Sequence, residues 1–200
     1  MTVTEPRLLP LPLERWESDG REMLRGHLAT ADRYLGDDPP PLPNVLGLFG
    51  HHPRLTSSWL ALSSAMNAAA VLSARDRELL VLRVSWRTSC RYEWGQHVRL
   101  GQSAGLTDHE IDAVALELDH GEWHERDRLL LAATDQLVAA HVVDDATWRG
   151  LTAHFDEQQT LEVLFVVGTY LCLALVMNSV GLQPDPGSDS ALPPRPTREV

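Results

Sequence analysis

From Arg75 to Gly105 the apolar residues recur at helical spacing, and this run alone sets the fold class. Leu79, Leu80, Leu82, Val84 and Trp86 follow Asp76, where a half-buried strand would need strict alternation. The same stretch carries a thiol, a carboxylate and an imidazole, on Cys90, Glu93 and His97. At about 100° per residue, Trp86, Cys90, Glu93 and His97 share a narrow arc of one continuous helix. Glu93 and His97 are also an i,i+4 pair, so their side chains can touch. Thr88 and Ser89 are N-capping types and allow a break instead. A break would put Cys90 at a helix N-terminus, where the dipole favours a thiolate.

The flanks repeat the helical pattern. Pro6, Pro10 and Pro12 make residues 1–13 an extended arm, because proline removes a backbone donor and fixes φ. Helices are expected over 14–35, 44–49, 55–72, 111–118, 122–140 and 161–180. Ser73 caps the central helix, Thr107 with Glu110 forms a capping box, and Thr160 caps the last helix before Gly181 ends it. The His51-His52 pair falls in a loop, and adjacent residues point apart, which does not suit chelation. Residues 183–200 hold five prolines among Ser, Asp and Gly and read as a disordered tail. The expected organisation is a single all-α domain over 14–182, between the arm and the tail.

Two hundred residues fit that size. The net charge of -11 argues against nucleic acid and anionic membranes as partners. Two cysteines, Cys90 and Cys172, make no disulfide framework and point to a reducing cytoplasm. The N-terminus lacks a signal-peptide layout. The longest apolar run, 163–176, is shorter than the ~20 residues of a membrane helix. A soluble intracellular protein is expected.

The residues themselves favour proton chemistry. A carboxylate beside an imidazole orients the ring and makes a proton shuttle near neutral pH. Arg83 and Arg87 are close enough in sequence to clamp a substrate carboxylate, with Arg91 more exposed. Trp86 suits a pocket wall, and Tyr170 and Asn178 can add polar groups from the last helix, although ordinary helix packing also accounts for both. Glu78 is either a first-turn residue complementing the helix dipole or a proton-relay partner. Cys90 is either a small buried hydrophobe or a nucleophile.

Three segments together are similar to the carboxymuconolactone decarboxylase family, whose superfamily includes alkylhydroperoxidase D. They are Arg75-Asp-Arg-Glu-Leu-Leu-Val-Leu-Arg-Val, Cys90-Arg-Tyr-Glu-Trp-Gly-Gln-His97 and Ala104-Gly-Leu-Thr-Asp-His-Glu-Ile111. The resemblance implies an alkylhydroperoxidase D-like helical bundle and a homo-oligomer, built from trimers or dimers. It also implies a small-molecule substrate and no cofactor, while a metal is not expected because the Glu-x-x-x-His spacing of Glu93 and His97 is not the Glu-x-x-His of di-iron bundles. The peroxidase members carry a Glu, eleven residues, then Cys-x-x-Cys-x-x-x-His, and their second cysteine attacks the peroxide. Here Glu78, Cys90 and His97 match, while Glu93 stands at the second cysteine. The departure points to a lyase or isomerase acting on a carboxylated or enolisable metabolite. The expected catalytic set is His97, Glu93, Cys90 and Glu78, with Trp86, Arg83, Arg87, Tyr170 and Asn178 around the substrate. The alternatives are a peroxidase-type reductase using Cys90 and a non-catalytic oligomeric protein.

Overall fold

Capping side chains decide where the helices begin. Ser73 Oγ accepts from Asp76 N at 3.1 Å, and Thr107 and Glu110 close a reciprocal capping box. Each satisfies backbone donors that a helix start leaves free. In the computed structural model residues 5–28, 31–188 and 192–193 are described. The helices run α1 (Ser18–His27), α2 (Ala31–Leu35), α3 (Asn44–Phe49), α4 (Pro53–Ala68), α5 (Ala74–Thr88) and α6 (Arg91–Ser103). They continue as α7 (Asp108–Val114), α8 (Glu125–Ala140), α9 (Asp145–His154) and α10 (Glu157–Val180). Short 3-10 turns cover Leu13–Arg15 and Leu118–His120. No strand occurs among the described residues, so the protein is all-α.

The chain divides into two compact units. One holds the residues up to Ala70 with Val180–Asp185, and the other is centred on Val71–Ser179. In the first unit, Trp16 Nε1 donates to Leu11 O at 2.9 Å, and the buried indole lies against Gly50. A Cβ on Gly50 would come within 2.4 Å of the ring. Trp16 itself is extended, and this splits the helix expected over 14–35 into a 3-10 turn, α1 and α2. The arm lies on α3, with Leu11 N donating to Gly47 O at 2.9 Å. Of the expected tail, Gln183 O and Pro184 O accept from Asn44 Nδ2 at 3.0 and 3.2 Å. Residues 1–4 of the arm and 189–191 and 194–200 of the tail lie outside the described residues.

In the second unit α5 is the central element. Leu79, Leu80, Val81, Leu82, Val84 and Trp86 are all buried, and α5 packs on α6, α7 and α8. Gly105 ends the α6 segment at φ 99°, a conformation that glycine adopts without steric cost. The start of α10 differs from expectation. Asp156 Oδ1 accepts from Gln159 N at 2.8 Å while Gln159 Oε1 accepts from Asp156 N at 3.1 Å. This reciprocal cap precedes Thr160, which is buried inside the helix.

Helix α10 is also longer than its uninterrupted apolar run. Within its 24 residues an 18-residue window reaches a mean hydropathy of 2.1, long and apolar enough to cross a membrane, with 28% of that window buried. Val163, Val166, Val167, Ala174 and Met177 point inward. Leu161, Phe165 and Leu175 are 55%, 53% and 61% exposed on the opposite side. One face is core and the other is bare apolar surface.

Candidate active site

Ser89 interrupts the helical run at φ 56°. Cys90 then stands as the N-cap of α6, with its N–H donating to Ser85 O at 2.8 Å. The interruption separates Trp86 from the arc predicted for it with Cys90, Glu93 and His97. Trp86 lies beneath two guanidiniums, Arg83 at 4.8 Å and Arg87 at 4.9 Å from its ring centre.

Those arginines are not free to clamp a substrate. Arg83 is 0% exposed. It donates to Asp135 through Nε and Nη2, at 2.7 and 2.6 Å, and through Nη1 to Val114 O and Leu116 O. Arg87 donates to the same Asp135 and to Glu117. Both expected carboxylate-binding roles are corrected, because the donors are already used by residues of the fold. Asn178 is also structural in this arrangement, donating through Nδ2 to Thr88 O at 2.8 Å.

The chemistry-bearing group lies between α5, α6 and α10. His97 Nδ1 is 2.7 Å from Glu78 Oε2, so its carboxylate partner is Glu78 rather than the Glu93 predicted from i,i+4 spacing. The break at Ser89 folds α6 back along α5 and brings two residues 19 positions apart into contact. Tyr170 of α10 meets the imidazole edge-on, at 5.0 Å between ring centres and 89° between planes. His97 and Glu78 keep side-chain exposures of 10% and 16%, so solvent reaches this pair.

Glu93 behaves differently. Its side chain is buried, and desolvation pushes its carboxyl up to about 8, against smaller lowering contributions from Cys90 and Ser85. It is therefore mostly protonated at neutral pH. Ser85 Oγ donates to Val81 O at 2.8 Å, which commits its one proton. Its 3.5 Å approach to Glu93 Oε2 is at the outer limit of hydrogen bonding and leaves the carboxyl proton uncommitted. Glu93 Oε1 is buried with no hydrogen-bond partner.

Cys90 does reach the helix N-terminus, but the thiolate is not favoured there. Burial, and then the charge of Glu93, push the thiol strongly up. Its Sγ faces Met177 Sδ at 3.9 Å. Burial likewise raises the Tyr170 phenol, with Glu78 and Glu93 adding to it. Cys90 and Cys172 are both free thiols, the first buried and the second exposed. Arg77, which the sequence did not single out, has a buried Nη1 with no hydrogen-bond partner. Among the described residues no group of His, Cys, Asp and Glu is arranged to hold a metal.

The comparisons agree with this architecture. Residues 53–135, which include every α5 and α6 residue of the site, match the carboxymuconolactone decarboxylase family. No curated protein matches the sequence. An uncharacterised peroxidase-related protein from Ralstonia eutropha JMP134 with an alkylhydroperoxidase AhpD core superposes with TM-score 0.75 at 19% identity. That match covers 92% of this chain and 94% of the other. A peroxidase-related protein from Silicibacter sp. TM1040 gives TM-score 0.74 at 17% identity, over 94% and 97% of the two chains. The debrominase Bmp8 gives 0.71 at 16%, over 93% and 96%. Residues 53–135 thus match the carboxymuconolactone decarboxylase family, and the all-α fold is alkylhydroperoxidase D-like.

Proposed function

We propose that this protein is a cofactor-independent lyase or isomerase that moves a proton on a small carboxylated or enolisable metabolite. The observation that carries the reading is the 2.7 Å contact between His97 Nδ1 and Glu78 beside a buried, protonated Glu93. Glu78 holds the Nδ1–H, which leaves Nε2 with a lone pair for a substrate proton. Neutral Glu93 supplies an acidic hydrogen to the oxygen on which enolate charge develops, as a carboxylic acid kept neutral by an apolar site can do. The structural relatives named for peroxidase and debrominase chemistry include a cysteine-to-alanine debrominase variant bound to 2,3,4-tribromopyrrole. That likeness favours thiol chemistry as the second reading. The raised, buried Cys90 thiol and the carboxylate at the second cysteine position weigh against it.

One experiment separates the two. Deuterium exchange from solvent is followed over a panel of β-keto acids and carboxylated lactones. Replacing His97→Ala should lower it about 10²- to 10⁴-fold, while Cys90→Ala retains it. The opposite pattern would overturn the proton-transfer reading in favour of the thiol.

The reading extends to a cytoplasmic homo-oligomer, dimer- or trimer-based. Leu161, Phe165, Cys172, Leu175 and Ser179 lie within one arc of α10 at about 100° per residue. Such an apolar face is usually covered by protein. Phe165→Lys should shift the mass by light scattering to the monomer, and an unchanged mass would exclude α10 as the interface.

A further inference from the structure

We infer that Arg77 is the anion-recognition residue of this site, and that the ligand it receives is a carboxylate. The inference rests on the proton-transfer reading for what happens to that ligand, but not for its binding.

Arg77 is one of four arginines on α5, and the other three are occupied. Arg75 is held by Glu110 and Asp127, and Arg83 and Arg87 share Asp135. Arg77 alone keeps a buried guanidinium nitrogen, Nη1, without a hydrogen-bond partner. Buried polar atoms are almost always paired, and an unpaired charged donor points to an absent acceptor. The adjacent residue, Glu78, does not supply it, because its carboxylate is turned to His97. Arg77 is half-buried as a residue, with Nη1 at its buried end.

The location connects this cation to the chemistry. The Arg77 charge lowers the Tyr170 phenol against Glu78 and Glu93, which raise it, and Tyr170 stands edge-on to His97. Glu93 Oε1, next to Cys90 in the same site, is a buried oxygen likewise without a partner, on a residue 2% exposed. The two unpartnered atoms are complementary in kind. A cationic donor suits a carboxylate, and a neutral acid suits a carbonyl oxygen. A substrate carrying both groups, such as a β-keto or conjugated keto acid, satisfies both and presents its intervening carbon to His97.

The test is titration calorimetry of the full chain with acetate, acetoacetate, benzoate and maleate, each alongside its methyl ester. At least one carboxylate should bind, with affinity falling as salt is added, and its ester should not. Arg77→Gln should weaken that binding about 10- to 100-fold, and Arg77→Lys should restore part of it. Binding that persists unchanged in Arg77→Gln, or a panel in which no carboxylate binds the unaltered protein, overturns the inference. Thermal melting of both variants shows that they fold, and the lysine variant covers the case in which glutamine does not. His97→Gln separates this inference from the reading beneath it. Should it bind the carboxylate and still exchange deuterium, the acid–base assignment fails and the anion site stands. Should Arg77→Gln exchange deuterium and bind normally, the anion site fails alone.

Discussion

Two polar clusters along α5 handle burial in opposite ways. Around Arg83 and Arg87, each guanidinium finds Asp135, and the remaining Arg83 donors find Val114 O and Leu116 O. Around Glu78 and His97, Arg77 Nη1 and Glu93 Oε1 are left without partners. The two carboxylates register the contrast. Burial alone would raise Asp135, but the Arg87 and Arg83 guanidiniums hold it below the usual range. Glu93 has no cation bonded to it, and burial carries it up to about 8. A charge network whose guanidiniums find carboxylates and carbonyls serves the fold. A cluster with orphaned buried atoms is built for something that arrives later.

The sharpest way to break this comparison is to remove the hub of the satisfied cluster. Asp135→Ala leaves Arg83, 0% exposed, as an uncompensated buried cation, a change that costs about 3–5 kcal/mol. Urea unfolding should show that loss in the midpoint. A loss below about 1 kcal/mol, the range of a surface ion pair, would mean the network is ornamental and the contrast false. Arg77→Gln should leave the unfolding midpoint within about 0.5 kcal/mol, the range of changes that break no structural contact.

How far the sequence reveals these clusters depends on the range of the interactions. The caps at Ser73 and Thr107–Glu110, the stop at Gly105 and the break near Ser89 are set by neighbouring residues, and local pattern finds them. Thr160 is a cap by type alone, and it loses to Asp156, whose reciprocal partner Gln159 completes a better start. That Glu78, Cys90, Glu93 and His97 are candidates was legible, since those chemical types crowd one stretch. Their pairing was not. The i,i+4 rule joins Glu93 to His97, but the chain folds back at Ser89 and delivers Glu78 instead. Arg83 and Arg87 read as clamps because Asp135, 52 and 48 residues away, is invisible to local pattern. Arg77 gives no local signal, for its mark is a partner that is missing.

The finer prediction concerns pH, where the two carboxylates should leave opposite traces. Asp135 is depressed in the folded chain. Its contribution is present above the unfolded carboxylate range, and it is lost as pH falls through the lower folded value. Glu93 is raised from 4.5 to about 8. Its contribution is complete below the unfolded value and disappears as pH climbs through 8, because between the two the folded chain binds the extra proton. Unfolding free energy should therefore decline from about pH 5 to pH 8, by at most about 1.4 kcal/mol per unit from this one group. Glu93→Gln keeps the shape without the ionisation, so it should flatten that decline and leave the acid limb of Asp135 in place. Denaturant curves at pH 5, 6, 7 and 8 on both proteins measure the difference. Parallel curves would mean that Glu93 ionises freely in the folded chain, and the acid assigned to it would then have no proton to give at neutral pH.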